Sequence, residues 1–121
     1  LVILAPLTEE TRALIGPKEL GLLPLDARVV NIGRGPVMVE QALIDALDAG
    51  ALAGAAMDVF EREPLRPDSP LWDMPNVLVS PHSASTSDRE NERLTDLFCT
   101  NLRSYLDGKP LRNVLDVNRL Y

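Results

Sequence analysis

Four short apolar runs alternate with helical patterns and loops: Leu1 to Leu4, Arg28 to Ile32, Leu52 to Val59, and Val77 to Val79. This alternation constrains the fold more than any other feature. Strands separated by helices pair in parallel, through right-handed crossovers. Pro6 closes the first run. Thr8 to Ile15 is polar and loop-like. Pro17 to Leu23 reads as a short helix, with Pro17 near its first position and Pro24 past its end. Glu40 to Ala49 reads as a second helix, with Leu43, Ala46 and Leu47 on one face and Gly50 as its C′ stop. Leu52 to Val59 is rich in Ala and Gly, which lets neighbouring layers approach closely. Glu61 to Pro75 is a long proline-rich loop. Ser87 with Glu90 suggests a capping box. The helix that follows has about 20 residues and ends at Leu106, with Leu94, Leu97, Phe98, Leu102 and Tyr105 as its apolar stripe. Asp88, Glu90 and Glu92 lie near its positive end. Asp107-Gly108-Lys109-Pro110 stops it, and Leu111 to Tyr121 reads as an extended tail.

Composition narrows the function classes. At 45% hydrophobic residues the chain is too apolar for disorder. No apolar run approaches the roughly 20 residues of a membrane span. A net charge of -6 and a pI of about 4.7 give no electrostatic footprint for nucleic acid or anionic membrane. A single cysteine, Cys99, rules out an internal disulfide framework and a multi-thiolate metal site; mid-helix and without basic neighbours, it reads as a packing residue. The single histidine, His82, rules out a multi-histidine metal centre. The chain opens inside a strand-like run, with no initiator Met and no signal-peptide pattern. A strand lacking its upstream partner is an odd start for a domain, so the expectation is a piece of a longer polypeptide, placed in the cytoplasm. Four strands are not expected to be the whole sheet.

In parallel sheets, ligand contacts gather beyond the carboxyl ends of the strands. The residues at those ends are Pro6-Leu7-Thr8, Arg34, Asp58 and His82. Polar residues at strand ends are also ordinary solvated loop residues, but three together favour a site. Gly33-Arg34-Gly35-Pro36-Val37-Met38 follows a strand and precedes a helix, as a dinucleotide phosphate loop does. Met38 occupies the third position, where Gly or Ala is needed for close helix–strand packing, so that reading is rejected. The flanking glycines are expected to clear space around Arg34 for a substrate. Its guanidinium offers a planar fork of donors that matches a carboxylate; the plain alternative is an Arg salt-bridged on a turn.

His82 follows Pro81, and an imidazole suits proton transfer near neutrality; a lone His is also commonly structural. A carboxylate near it would fix its tautomer and raise its pKa. From spacing alone Glu61 and Glu63 are equal candidates. Asp58 could accept a hydrogen bond from an amide ligand, or could simply hold a turn. Trp72 reads as a packing anchor under the long loop.

These segments resemble a known family. Asn31-Ile32-Gly33-Arg34-Gly35-Pro36-Val37, Leu43 to Gly50, Gly54 to Glu61, Glu63-Pro64-Leu65, Pro70-Leu71-Trp72 and Pro75 to His82 are similar, in order and spacing, to the NAD-binding half of the D-2-hydroxyacid dehydrogenases. Ala5-Pro6-Leu7-Thr8 with Thr11 resembles the strand and loop before it, and Tyr105 to Val114 the return toward the family's substrate domain. The resemblance implies an α/β fold: the C-terminal portion of a Rossmann-like, doubly wound dinucleotide-binding domain over residues 1–84. A long return helix and tail follow over 85–121.

The resemblance also assigns roles. Arg34 matches the arginine that binds the substrate carboxylate and polarises its carbonyl. His82 matches the acid/base, and Glu63 rather than Glu61 its carboxylate partner. Asp58 matches the acid that bonds the nicotinamide carboxamide. Pro6, Leu7, Thr8, Gly33, Arg34, His82 and Ala84 fall along the cofactor cleft. Val39 stands where many relatives have an acidic N-cap, which predicts a weaker helix start. Ala84 stands where some use a hydroxyl, which leaves only backbone contacts. The family's phosphate-binding glycine loop, its ribose-reading residue and most of its substrate domain precede Leu1. The implied cofactor is NAD or NADP and the implied substrate a small 2-oxo or 2-hydroxy acid, with a homodimer as the implied assembly and no nucleic acid or membrane partner. Pro-Leu-Trp at 70–72 leans toward the glyoxylate or hydroxypyruvate reductase branch. Two alternatives stand beside this: a nicotinamide-binding regulator of the corepressor type, and an inactive fragment of the enzyme.

Overall fold

In the computed structural model residues 1–118 are described. They form two compact units, Leu1–Ala84 and a second that begins at Ser85. The first holds β1 (Val2–Ile3), α1 (Pro17–Leu20), β2 (Arg28–Asn31), α2 (Glu40–Asp48), β3 (Gly54–Met57) and β4 (Val77–Val79), with 3-10 turns at Gly35–Val37 and Pro70–Trp72. The second holds α3 (Glu90–Leu106).

The sheet has four strands in the order β1-β2-β3-β4, and every pairing is parallel. Ile3, Asn31, Met57 and Val79 form one cross-strand row at its carboxyl edge. All four loops that follow this row therefore leave the sheet on the same side.

Alternation within the strands sets the core. Ile3, Val29, Ala55 and Met57 point to one face, where Leu20, Ala42, Leu43 and Leu47 from the two helices cover them. The opposite face keeps Val2, Leu4 and Leu78 exposed. Met38 is buried and bridges Ile15, so the third position of the glycine motif fills the core, in keeping with rejection of a phosphate loop. Gly50 takes a positive φ of 67°, the left-handed turn expected just past α2.

Several elements are shorter than their sequence patterns. β3 spans only Gly54–Met57, because Leu52 and Val59 reach the core from the flanking loops rather than from the ladder. α1 ends at Leu20, where the Gly21 N–H returns to the Pro17 carbonyl and Leu22 has nothing to bury against.

The capping box at α3 does not form. Its N-cap is Arg89, and Ser87 stands two residues too early, accepting from the Arg89 N–H at 3.3 Å instead. The helix has 17 residues and none is buried; Leu94, Phe98, Leu102 and Tyr105 of its apolar stripe are exposed and Leu97 is half-buried. Cys99 is likewise exposed, correcting its reading as a packing residue. Asn101 holds the start of the tail by exchanging two hydrogen bonds with the Arg112 backbone. The final positions of the expected tail, 119–121, lie outside the described residues.

Candidate active site

Arg34, Asp58 and His82 follow β2, β3 and β4, and so stand on one edge of one parallel sheet. Each is held by a different local device.

Arg34 sits on a turn braced by Asn31. The buried Asn31 side chain accepts from the Gly33 N–H at 3.2 Å and donates to the Arg34 carbonyl at 3.4 Å. An Asx residue two positions before Gly is the local sequence signal for such a turn. The glycines on either side are expected from sequence to clear space for a ligand, and they do not. A Cβ on Gly33 would lie 2.9 Å from the Ala5 carbonyl oxygen, and one on Gly35 would overlap the Phe60 carbonyl. Backbone from two other loops fills both places. The exposed Arg34 side chain donates from Nη1 to the Gly33 carbonyl at 2.8 Å and forms no ion pair among the described residues. Its other guanidinium donors remain for a ligand.

His82 Nδ1 lies 2.6 Å from Glu63 Oε2. A carboxylate can only accept, so Nδ1 carries the hydrogen, and Nε2 is the nitrogen left to exchange a proton with a ligand. Glu63 Oε1 accepts from the Phe60 N–H at 3.1 Å, which fixes the plane of the carboxylate. Partial burial works to raise the Glu63 pKa. The bonds from His82 and Phe60, with the charges of His82 and Arg34, outweigh it and hold the carboxyl below its usual range. The proximity of Arg34 thus reaches the pair electrostatically.

Asp58 is 3% exposed and clamps the turn that carries His82. Its Oδ1 accepts from Ser80 Oγ at 2.5 Å and from the Ser83 N–H at 2.8 Å, and its Oδ2 from the Ala84 N–H at 2.8 Å. His82 itself has φ 54°, a conformation unusual for a residue with a side chain. The three bonds on Asp58 offset the strain, on the order of 1 kcal/mol. Burial opposes ionisation of Asp58, but these bonds and the His82 charge prevail and lower its pKa. A carboxylate accommodates about four donors, so Oδ2 retains one acceptor position. The Ala84 N–H, the backbone donor expected there for a ligand, is already given to Asp58.

Glu61 is separated from Glu63 in role. Its Oε1 accepts from the Glu40 N–H at 2.9 Å, while Glu40 Oε2 accepts from the Glu61 N–H at 3.1 Å. Val39, the N-cap of α2, makes no side-chain cap. A carboxylate from 21 residues further along supplies it instead. Burial, with the Glu61 charge adding to it, raises the Glu40 pKa against the opposing Glu61 N–H.

Pro6, Leu7 and Thr8 follow β1 on the same edge. Thr8 and Thr11 share hydroxyl and backbone bonds, and Thr11 Oγ1 donates to the Pro6 carbonyl at 2.7 Å, giving that loop a fixed shape. Trp72 is not the buried anchor expected. It is 52% exposed, with Nε1 donating to the Arg66 carbonyl at 2.8 Å, while its neighbour Leu71 is fully buried. In a tight 3-10 turn adjacent side chains diverge, and only one can face the core. Among the described residues no cluster could hold a metal ion, and no helix is long and apolar enough to cross a membrane.

Residues 1–84 match the family model of the D-isomer specific 2-hydroxyacid dehydrogenase, NAD binding domain. A D-isomer specific 2-hydroxyacid dehydrogenase from Xanthobacter autotrophicus Py2, solved with NADPH, is 45% identical with a TM-score of 0.90, over 99% of this chain and 49% of that one. An NADPH-dependent glyoxylate/hydroxypyruvate reductase from Sinorhizobium meliloti, solved with NADP, is 39% identical with a TM-score of 0.92, over 99% of this chain and 39% of that one. A glyoxylate reductase from Aeropyrum pernix is 43% identical over 96% of this chain and 35% of its own length. The chain thus spans between about a third and a half of the proteins it matches.

Proposed function

The chain belongs to the D-isomer specific 2-hydroxyacid dehydrogenases, and on that premise we propose that it carries the catalytic and nicotinamide-contacting residues of a reductase of small 2-oxo acids, glyoxylate and hydroxypyruvate foremost. The observation that carries the reading is the His82–Glu63 pair, 2.6 Å apart, on the sheet edge that also holds Arg34 and Asp58.

Arg34 binds the substrate carboxylate through its guanidinium fork and draws electron density from the adjacent carbonyl. A bound nicotinamide dinucleotide, NAD or NADP, supplies the hydride exchanged with C2 of the acid. His82, protonated on both nitrogens, gives the Nε2 proton to the oxygen at C2 during reduction, and in oxidation neutral Nε2 takes it back. Glu63 stabilises the imidazolium through Nδ1. Asp58 accepts from the carboxamide through the free position on Oδ2, with Pro6, Leu7, Thr8, Gly33 and Ala84 along the same edge. A homodimer in the cytoplasm, without nucleic acid or membrane, completes the reading. It rests on family likeness and on the chain's acidity, and light scattering of the whole protein tests the dimer.

The direct test follows NADH and NADPH oxidation by the whole protein with glyoxylate or hydroxypyruvate. Turnover that His82→Ala abolishes is the expected result. Tight nucleotide binding with no turnover of either acid would favour the regulatory alternative.

A further inference from the structure

Two segments of the site are fastened to each other by something outside the reacting groups. The Arg34 turn leads through Gly35–Val37 into α2, which begins at Glu40. The Glu63 segment begins at Phe60. Between them stand two carboxylate–amide bonds running in opposite directions, Glu61 Oε1 to the Glu40 N–H and Glu40 Oε2 to the Glu61 N–H. The backbone adds a third link, because Gly35 packs against the Phe60 carbonyl and the Glu61 nitrogen with no room for a Cβ. The links fall immediately beside Phe60, whose N–H orients Glu63 Oε1.

We propose that the Glu40–Glu61 clasp is a positioning device that sets Arg34 in register with the Glu63–His82 pair. This rests on the reading of Arg34 and His82 as substrate carboxylate binder and acid/base. Each like-charged carboxylate sits beside the other and is held by the other's backbone N–H. An arrangement that tolerates such repulsion, with Glu40 half-buried, fixes two loops at one spacing. Simple capping of α2 would need one carboxylate; the return bond from Glu61 N–H to Glu40 adds nothing to the helix and ties down the other segment. Glu40 and Glu61 touch neither substrate nor cofactor in this scheme. They act through Phe60, Gly35 and the loops those residues anchor.

Loss of register costs most in the transition state, where carboxylate binding and proton transfer are required together. Glu61→Ala in the whole protein should therefore lower kcat/KM by about ten-fold, mostly through kcat. The limbs of its pH–rate profile should stay in place, because no proton is moved by Glu61. Glu61→Gln keeps an acceptor for the Glu40 N–H and should restore most of the rate. Glu40→Ala combined with Glu61→Ala should lose no more than the worse single variant, since both break one clasp. Amide exchange gives a readout that needs no turnover: Phe60 should exchange about ten-fold faster in Glu61→Ala, because its segment is no longer fastened to α2 while the Glu63–His82 pair stays closed. In the unsubstituted protein the Glu40 and Glu61 amides should be as protected as Phe60, which covers the case of a variant that does not fold. Unchanged kcat/KM, additive losses, a displaced pH limb, or fast exchange at Glu40 and Glu61 would each overturn the proposal. If the unsubstituted protein turns over no 2-oxo acid, the functional reading fails, and the exchange data alone decide on the clasp.

Discussion

Glu63 Oε2 and His82 Nδ1 lie 2.6 Å apart although 19 positions separate them in the chain. Sheet order brings them together: Glu63 leaves the loop after β3, and His82 the loop after β4, its parallel neighbour. Reduction needs protonated His82, and the hydrogen bond and charge of His82 are among the causes that hold the Glu63 carboxyl below its usual range. Glu63→Gln keeps the shape and removes the charge. The alkaline limb of the reduction profile should then move to lower pH, with less loss on the acid side, and the oxidation profile should extend to lower pH. Glu61→Gln should shift neither. Paired pH–rate profiles of the whole protein check this. A shift with Glu61→Gln alone would place the pairing two residues out of register, and no shift with either would dissolve the pair.

Among the described residues Arg34 keeps guanidinium donors unpaired at the turn. Arg34→Lys preserves the charge but replaces a planar fork with a point donor. Loss of one charge-assisted bond in the transition state corresponds to roughly 10- to 100-fold in kcat/KM, with KM raised and kcat lowered. Steady-state kinetics with glyoxylate test it, and unchanged constants would remove Arg34 from the site.

Legibility in the sequence followed the range of the forces involved. Parallel pairing is implied by strand–helix alternation, and it puts Arg34, Asp58 and His82 on one edge whatever the loops do. Loop geometry is set by distant partners and was not legible. Val39 signalled a missing cap at α2, but nothing local pointed to Glu61 as its replacement. The glycines around Arg34 suggested open space, yet their neighbours are backbone from the loops after β1 and β3. Leu71 and Trp72 are adjacent and both apolar, so spacing could not say which one the core would take. Ser87 and Glu90 have capping-box spacing, but the helix starts at Glu90 itself, two residues later than the motif requires.

Nucleotide affinity in the 121-residue chain should be weak. A helix N-terminus binds pyrophosphate through free N–H groups and a positive dipole end. The first amide of α2 is already bonded to Glu61, and the Glu40 and Glu61 carboxylates repel a phosphate there. Calorimetry with NADH should detect no micromolar binding to the chain alone. Micromolar affinity would require a phosphate site elsewhere in it.

Asp58 links site geometry to acid stability. Its pKa in the folded chain lies below the ordinary carboxylate value, so the folded state binds a proton there less readily than the unfolded state does. The stability it contributes is complete above the ordinary carboxylate pKa, about 3.9, and is lost as pH falls toward the lowered folded value. Asp58→Asn removes the titration and turns an amide NH2 toward the Ser83 or Ala84 N–H, leaving a donor facing a donor. That mismatch should cost about 1–3 kcal/mol at neutral pH and loosen the turn that holds His82 at positive φ. Thermal melts from neutral to acid pH should show a lower starting Tm in the variant and a shallower fall below about pH 4. An equally steep acid fall in Asp58→Asn would mean that other carboxylates carry the acid sensitivity and that Asp58 does not clamp the His82 turn.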